Sequence, residues 1–456
     1  MNHPHVHRER RFKLRYIFIA LLFVLMVWFG IFRWHAHNRL DQRIDDLRAQ
    51  GYPMSLMELD KWYTDTMPQD ADNAAPYYQD AFAAYVKWNE DDYNDLPLVG
   101  HISLPKRTET LDAQTFQSAR DFLSDNQETL ELLYEAAKIP HCLYPRDFSQ
   151  GFNMRVPWLS ESRQCAFLLS LNALVSIQQG DVQASVTSIK ATFALARSLR
   201  GPLIIQHLVQ IAIKSLAYAS LEQVLSRSSL SQAQLLELSG IIEDDETDHG
   251  YKNAMVGERC FGLHGFQLSS ADMSMLGSPN GGKQGLVMFM LIPRKILGLH
   301  DLDTLSYVNM MQAYIDASSL PYDQGLIRCQ EIDQHVGNPQ NLGMIARLLM
   351  PALGRTFQLQ VRYIAHTRTA LTALAIERYR LSQGTLPQSL DELMPTYLDS
   401  IPKDPFDGQN LRYHLLETGY VVYSIGEDLT DDNGKEHERQ RGSQQQPWDV
   451  TFTVVR

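Results

Sequence analysis

The chain has few cysteines, a deficit of basic residues and only one long apolar run. Its 456 residues include four cysteines, and 41 basic against 53 acidic residues give a formal net charge of −12. No two cysteines have the C-x-x-C spacing of zinc and thioredoxin-type sites. An acidic chain also lacks the basic surface that binds nucleic-acid phosphates. Composition therefore argues against zinc, thiol-redox and nucleic-acid-binding functions, and we expect no nucleic-acid partner.

Two of the cysteines, Cys142 and Cys165, are close enough in the chain to be considered as a pair. If the chain folds outside the cytoplasm, they could form a disulfide. Cys165, however, lies in the apolar run from Arg163 to Leu171, where a small buried thiol is the common state. We therefore expect Cys165 to be a buried thiol.

The one long apolar run extends from Tyr16 to Phe32. In a helix, its roughly 17 uncharged residues span about 26 Å, near the short end of what crosses a bilayer. Basic residues crowd its upstream end, and neither an A-x-A cleavage site nor a lipidation cysteine follows it. An uncleaved membrane anchor is therefore favoured over a cleaved signal peptide and over a buried soluble helix.

The charges around this run predict its orientation. The basic residues of segment 1–15 favour a cytoplasmic tail, although arginines also follow the run. We predict a single-pass protein of the bacterial cytoplasmic (inner) membrane, with a transmembrane anchor at 16–33 and the bulk of the chain in the periplasm. The membrane, bound through residues 16–33, is then the first expected partner.

Residues 34–355 are predicted to form an α-helical extracytoplasmic domain, because apolar residues recur at helical spacing through most of it. One helix is expected from Asn73 to Trp88 and another from Leu111 to Ala137. Three Ala/Leu-rich helices are expected at Ser160–Gln178, Val182–Leu199 and Leu203–Leu225. The turn between the first two of these resembles a tetratricopeptide-type hairpin. Without a repeat of about 34 residues, a plain antiparallel bundle is favoured.

Toward the end of the chain the pattern changes from helical to mixed. Loops are expected around Pro321 and Pro339, before a long helix from about Leu342 to Ser382. A capping box at Ser389 predicts a further short helix. Alternating apolar residues predict antiparallel strands at Leu411–Leu416, Tyr420–Ile425 and Val450–Val455.

Together these patterns predict a mainly α fold. Its parts are an N-terminal transmembrane helix, a helical bundle or helix-hairpin body, and a small C-terminal α+β module at 356–456 with a short antiparallel sheet.

A series of turn, helix and strand motifs occurs in order along residues 357–456. They are Glu377-Arg-Tyr379, Gly384…Pro387, Leu390…Leu393, Ile401-Pro-Lys-Asp-Pro-Phe406, Tyr413 and Ser424-Ile-Gly426-Glu-Asp428. In these motifs the region resembles the soluble head of the major pseudopilin of type II secretion. The resemblance implies a long helix packed on a small antiparallel sheet, with a calcium-binding loop near the end.

The chain departs from that family in its anchor. A pseudopilin's anchor helix begins at a prepilin cleavage site and runs directly into the head. Here the anchor lies more than 300 residues upstream and carries no such site. The resemblance therefore extends to the folded head and not to assembly into a pilus.

Oxygen ligands are concentrated after the second predicted strand. Asp428, Asp431, Asp432 and Asn433 supply the carboxylate and amide oxygens that Ca²⁺ prefers. The spacing does not fit an EF-hand, because a loop with Gly434 at its sixth position would begin at Leu429. A calcium site formed by these four residues is one expectation, and an acidic turn without metal is the other. No other cofactor is expected.

Two further patterns fall short of known sites. Gly277 to Lys283 matches G-x-x-x-x-G-K, but Gln284 follows where a phosphate-binding loop has Ser or Thr. Glu258 with His249 and His264 lacks the H-E-x-x-H spacing of a zinc site. No serine lies in a G-x-S-x-G segment. No catalytic residue is therefore assigned.

The favoured function is non-enzymatic: a membrane-anchored cell-envelope protein that binds another protein or has a structural role. A link to secretion follows from the resemblance alone. The alternative is a hydrolase acting on an envelope polymer, with its site in the irregular segment 139–158 near Glu258. Carboxylates or histidines converging in a pocket would favour the enzyme, whereas an exposed apolar groove would favour the binding protein.

Overall fold

The computed structural model describes residues 5–68, 71–89, 96–100, 102, 105–246, 249–268, 299–337, 353–436 and 449–456. The predicted loop 277–283 lies outside these residues, as does the start of the helix predicted from Leu342. Within the described residues all four cysteines are free thiols, and Cys165 is buried as expected.

Helices form most of the described chain, and a small sheet lies near its C-terminus. The helices are α1 (His5–Ala49), α2 (Leu56–Thr64), α3 (Ala75–Ala84), α4 (Ala113–Asp125), α5 (Gln127–Ala136), α6 (Trp158–Gln178), α7 (Val182–Ser198), α8 (Ile204–Arg227), α9 (Gln232–Glu246), α10 (Gly250–Gln267), α11 (Leu299–Ala317), α12 (Tyr322–Gly337) and α13 (Leu353–Gln383). The strands are β1 (Arg412–Leu416), β2 (Gly419–Ser424) and β3 (Val450–Val455). Short 3₁₀ helices occur at Phe148–Asn153 and Leu390–Leu393.

The chain divides into two compact units, each built from several segments. The first consists of Met1–Ser55, Arg259–Gln312 and His335–Pro351. The second consists of Leu56–Glu258, Ala313–Gln334 and Ala352–Arg456.

In the first unit, α1 joins the predicted anchor and the segment after it in one continuous helix. From Tyr16 to Val27 every residue is exposed, and this half is long and apolar enough to cross a membrane. From Ala36 onward one face is buried, at Ala36, Leu40 and Leu47. The helix is therefore apolar on all sides from Tyr16 to Val27 and amphipathic from Ala36 onward.

The chain that follows α1 is fixed within the first unit by Arg259, whose side chain is fully buried. Arg259 donates hydrogen bonds to the carbonyl oxygen of Pro53, at 3.3 Å, and to the side chain of Gln312. Its guanidinium also lies 5.1 Å from the ring centroid of Tyr52. A cation in this position is stabilised by neutral oxygens and an aromatic face.

The second unit has a core that joins its central helices to the C-terminal module. Buried residues of this core include Phe193 on α7, Leu221 on α8, Leu374 on α13 and Phe452 on β3. The boundary predicted at residue 356 stays a prediction, but residues on both sides of it share this core.

Strand β3 also hydrogen-bonds to α8. The Thr453 N–H donates to Glu222 Oε1 at 2.7 Å, and the Val455 N–H donates to Ser226 Oγ at 3.2 Å. Strand β3 therefore packs on α8, and two of its backbone N–H groups donate hydrogen bonds to side-chain oxygens of that helix.

The sheet is antiparallel with the order β1-β2-β3. Tyr413 pairs with Val422, and Val422 pairs on its other side with Phe452. Tyr420 on the central strand is buried, and its hydroxyl donates to the Ala373 carbonyl oxygen of α13 at 3.2 Å. The predicted fold class, mainly α with a small C-terminal antiparallel sheet and an apolar N-terminal helix, is confirmed.

Two of the predicted helix bounds are wrong, and Asn126 accounts for both. It breaks the expected helix Leu111–Ala137 into α4 and α5, where its backbone turns to φ −105° and ψ 21°. Its side chain also accepts from the Val86 N–H at 2.9 Å and donates to the Val86 carbonyl at 3.1 Å. Because Val86 is held in this pair of bonds, α3 ends at Ala84 and not at Trp88.

Helix α12 was not predicted, because Pro321 and Pro339 were interpreted as loop signals. Proline is well tolerated at the start of a helix, and α12 begins directly after Pro321. Its buried residues, Leu326, Cys329 and Ile332, recur every three positions, a weak version of the helical pattern.

Candidate functional site

The four predicted calcium ligands lie in the turn that follows β2. Asp428 Oδ1 accepts from the Thr430 N–H at 3.1 Å. Asp431 Oδ1 accepts from the Asn433 N–H at 2.9 Å and from the Tyr423 hydroxyl at 3.1 Å. These carboxylates therefore bind groups of the turn and of the neighbouring strand.

Asp449, which the sequence did not single out, closes the same turn. Its carboxylate accepts from the Gly434 N–H at 2.7 Å and from the Asp432 N–H at 3.4 Å. In the part of the chain that the structure describes, no group of three or more His, Cys, Asp or Glu side chains is placed to hold a metal ion. Calcium binding by Asp428, Asp431, Asp432 and Asn433 stays a prediction.

Two of the motifs that carry the pseudopilin resemblance meet at Asp404, whose side chain is fully buried. One oxygen accepts from the Phe406 N–H at 3.0 Å and the Ser424 hydroxyl at 2.8 Å. The other accepts from the Ile425 N–H at 2.9 Å and from Arg412 at 2.8 Å. Asp404 thus fastens the 401–406 turn to the end of β2, which is a structural role.

The irregular segment 139–158, proposed for the hydrolase alternative, is ordered by side chains. Asn73 Oδ1 accepts from the Ala75 and Leu143 N–H groups, at 3.0 and 2.9 Å, and its Nδ2 donates to the Leu143 carbonyl. Tyr144 stacks on Trp158 with ring centroids 5.3 Å apart, and both rings are buried. Outside its short 3₁₀ helix, the segment therefore has a fixed shape without regular secondary structure.

A pocket of about 410 Å³ opens beside this segment. Its polar lining residues are Asp60, Tyr63, Thr64, Asn73, Gln79 and Arg146. Asp60 is the one carboxylate among the described lining residues, which include no histidine and not Glu258. The converging carboxylates or histidines expected of a hydrolase are therefore not among them, and the hydrolase stays a prediction.

Glu258, the other residue of that alternative, lies on α10. Burial raises the pKa of its carboxyl group to about 7. A buried carboxyl of this kind occurs in structural as well as catalytic settings, so its pKa alone assigns no chemistry.

A larger, mostly apolar groove of about 730 Å³ lies between α6, α8 and α13. Its apolar lining includes Phe167, Leu208, Ile211, Leu216, Leu359 and Phe452. Binding sites in proteins commonly have this volume and this kind of lining. The groove is an apolar surface of the kind named above for a binding protein, and that function stays a prediction.

Hydrogen bonds fix the floor of the groove. The Tyr218 hydroxyl is 3.0 Å from Thr367 Oγ1, and Lys214 Nζ donates to the Tyr363 hydroxyl at 3.2 Å. Both bonds join α8 to α13. The two tyrosines therefore present their rings in set positions, which preforms the site.

The charged residues that line the groove differ in how close an oppositely charged group lies to them. Glu222 lies 3.2 Å from Arg107, whereas Arg362 lies 3.9 Å from Glu427. Arg163 is exposed and forms no ion pair among the described residues. The groove thus offers at least one uncompensated positive charge beside its apolar lining.

Sequence reasoning did not locate this groove, because its lining comes from Leu98, three helices and Phe452. The one feature of the sequence that could have indicated a groove is the composition of α8. This helix has more apolar residues than are needed to form one buried face. Exposed Ile205 and Ala212 show the excess.

Comparison with models of known protein families, with curated proteins and with solved structures gives no match for this chain. The pseudopilin resemblance therefore stays a prediction. Function has to be inferred from the geometry of the groove and the pocket.

Proposed function

We propose that this chain is a single-pass, membrane-anchored cell-envelope protein whose role is to bind another protein. Residues 16–33 attach it to the bacterial cytoplasmic membrane, and the remainder acts in the periplasm. The groove between α6, α8 and α13 is the observation that carries the proposal. Its role is non-enzymatic, and a secretion-related partner is suggested by the C-terminal resemblance.

The partner segment that fits the groove is an amphipathic helix with acidic residues beside its apolar stripe. Apolar residues at i, i+3, i+4 and i+7 of such a helix can fill a preformed groove between helices. An Asp or Glu next to the stripe would face Arg163, which has no ion pair of its own among the described residues. Opposite charge at the rim favours the correct register and speeds association.

Photocrosslinking tests the groove in the full chain. With p-benzoylphenylalanine in place of Ala212, which is exposed in the groove, we expect a protein adduct in native membranes. Ala219→Glu, within the same lining, should remove the adduct by adding a charge to the apolar surface. The probe in place of exposed Gln183 on α7 is the control and should give no such adduct.

Two outcomes contradict the proposal. One is an adduct with lipid but no protein, and the other is a protein adduct that persists unchanged in Ala219→Glu. Gln183→Glu, which adds the same charge away from the groove, separates a local effect from a general one.

Topology is tested separately. Reporter domains that are active only in the periplasm, fused after residue 60 and at the C-terminus, should both be active. Activity of a cytoplasmic reporter at both positions would overturn the assigned compartment.

A further inference from the structure

The pocket beside segment 139–158 contains a guanidinium, that of Arg146, which no described carboxylate contacts directly, although Asp60 in the same lining attracts it at longer range. Arg146 lines this pocket and is half-buried. Among the described residues no carboxylate oxygen lies within 4.0 Å of its guanidinium. Neutral oxygens and rings can stabilise a guanidinium, as they do for the fully buried Arg259, but Arg146 differs from Arg259 in that it lines a pocket, where a ligand can reach it.

The contacts that Arg146 does form are long and go to neutral oxygens. It donates to the Tyr144 carbonyl at 3.3 Å, to Gln206 Oε1 at 3.4 Å and to the Tyr63 hydroxyl at 3.2 Å. A charge-assisted bond to a carboxylate is shorter, at about 2.7–2.9 Å. Because a guanidinium has five N–H donors, two remain after these three bonds.

Aromatic rings hold the guanidinium in place. It lies 4.2 Å from the ring centroid of Tyr63 and 5.8 and 5.9 Å from those of Phe148 and Trp158. The Tyr63 hydroxyl is itself fixed, because it donates to the Arg200 carbonyl oxygen at 2.6 Å. Cation–π contacts with several rings orient the planar fork before any ligand arrives.

We propose that the Arg146 pocket binds a small ligand through a carboxylate group, which pairs with the free N–H donors of the guanidinium. The pocket of about 410 Å³ admits a sugar acid or an acylated amino acid. Asp60 in the same lining repels any anionic ligand, and it repels a phosphate dianion more strongly than a carboxylate monoanion, because the Coulomb energy scales with the charge. Thr64 and Gln79 supply hydroxyl and amide groups for the rest of the ligand.

The proposal concerns a different surface from the α6–α8–α13 groove and does not depend on the proposed partner protein. It also differs from the hydrolase alternative, because it requires binding and no bond cleavage.

The test is thermal unfolding of the full chain in detergent with acetate, N-acetyl-L-alanine or D-glucuronate as probes. We expect at least one to raise the melting temperature saturably, while D-glucose, the neutral match of glucuronate, does not. Arg146→Gln should abolish the response, and Arg146→Lys should weaken it because an ammonium lacks the planar fork. Arg155→Gln, on the same segment and exposed, should respond like the original chain.

A second measurement covers the case in which Arg146→Gln fails to fold. Phenylglyoxal modifies accessible guanidinium groups, and mass spectrometry of the unsubstituted protein reports modification at Arg146. The effective carboxylate should slow modification of Arg146 and leave that of Arg155 unchanged.

Several outcomes overturn the proposal. They are an equal thermal response in Arg146→Gln and the original chain, a response to inorganic phosphate alone, and no response to any carboxylate together with unprotected Arg146.

Discussion

Helices α1 and α8 are both long and apolar enough to cross a membrane, yet their surroundings differ. The most apolar window of α1 has a mean hydropathy of 2.3 and is 0% buried, whereas that of α8 has 1.2 and is 56% buried. The apolar half of α1 contains no charged residue between Tyr16 and Phe32. Helix α8 contains His207, Lys214 and Glu222.

His207 and Lys214 of α8 hydrogen-bond to another helix of the second unit, α13. His207 Nε2 is 2.7 Å from Gln360 Oε1, and Lys214 donates to Tyr363. In hydrocarbon such groups would be expensive, but in a protein core they are matched by partners. Both helices therefore pass the same test of length and hydropathy, and burial together with the partners of the polar residues distinguishes the core helix α8 from α1.

The largest effect is expected when the apolar part of α1 is removed and α8 is left in place. Deletion of residues 2–33 should move the protein from the membrane pellet to the soluble fraction, because insertion of a spanning helix is effectively irreversible. The measurement is sedimentation after alkaline extraction. Ile205→Asn on the exposed side of α8 should leave the full chain in the pellet. A truncated protein that still resists extraction would show that α8, or another segment, also enters the membrane.

Shortening a leucine side chain to alanine should affect the free energy of unfolding differently in the two helices. Leu221→Ala in α8 should lower the free energy of unfolding by about 2–5 kcal/mol, because Leu221 is fully buried. Leu25→Ala in α1, where 55% of the residue is exposed, should change it by less than about 0.5 kcal/mol. Urea unfolding in detergent, followed by circular dichroism, gives both values. Equal effects would mean that α1 is packed in the same way as α8.

A pH series examines the carboxylate within α8. Burial raises the pKa of Glu222 from the ordinary value of 4.5 to about 7, although Arg107 opposes the shift. The folded chain therefore binds this proton more tightly, and its stability should fall as pH rises from about 4.5 to 7. The full shift corresponds to at most about 3 kcal/mol.

Glu222→Gln should remove this part of the pH dependence, because the amide keeps an acceptor for the Thr453 N–H but does not ionise. Urea unfolding at several pH values measures it. Glu135→Gln, in an exposed pair with Lys138, is the control and should leave the slope unchanged. The same slope in Glu222→Gln and the original chain would contradict the assignment.

The smallest expected effect concerns one hydrogen bond between α8 and α13. Tyr218→Phe removes the hydroxyl that lies 3.0 Å from Thr367 Oγ1 and should lower stability by about 1 kcal/mol. Thr367→Val completes a double-mutant cycle that isolates the interaction. Strictly additive losses would show that the two hydroxyls do not interact.

Local pattern was sufficient for the central helices and the sheet. The expected helix Val182–Leu199 and α7 differ by one residue, and the expected strand Val450–Val455 is identical to β3. These elements have strong periodicity and clear turn residues at their ends. The bounds of α3 and α4 could not be predicted in this way, because Asn126 sets them through a contact 40 residues away in the chain.

The residues of the candidate sites were harder to predict than the helix bounds, because they are brought together by contacts between distant parts of the chain. Segment 139–158 was singled out by its aromatic residues, but the contacts of Arg146 come from Tyr63 and Gln206, which lie in α2 and α8. Asp449 belongs to the acidic turn although the sequence separates it from Asp432 by 17 residues. Residue type and spacing cannot reveal such pairs without the fold.

The bond between β3 and α8 has a consequence for biosynthesis. About 220 residues separate the end of α8 from the strand that covers it, so at roughly 5–20 residues per second the ribosome needs tens of seconds to make them. Helices α6 and α7, on which α8 also packs, precede it in the chain, but throughout that interval the apolar face of α8 that later contacts β3 stays uncovered. We expect the nascent chain to require a holding chaperone until translation has passed residue 455.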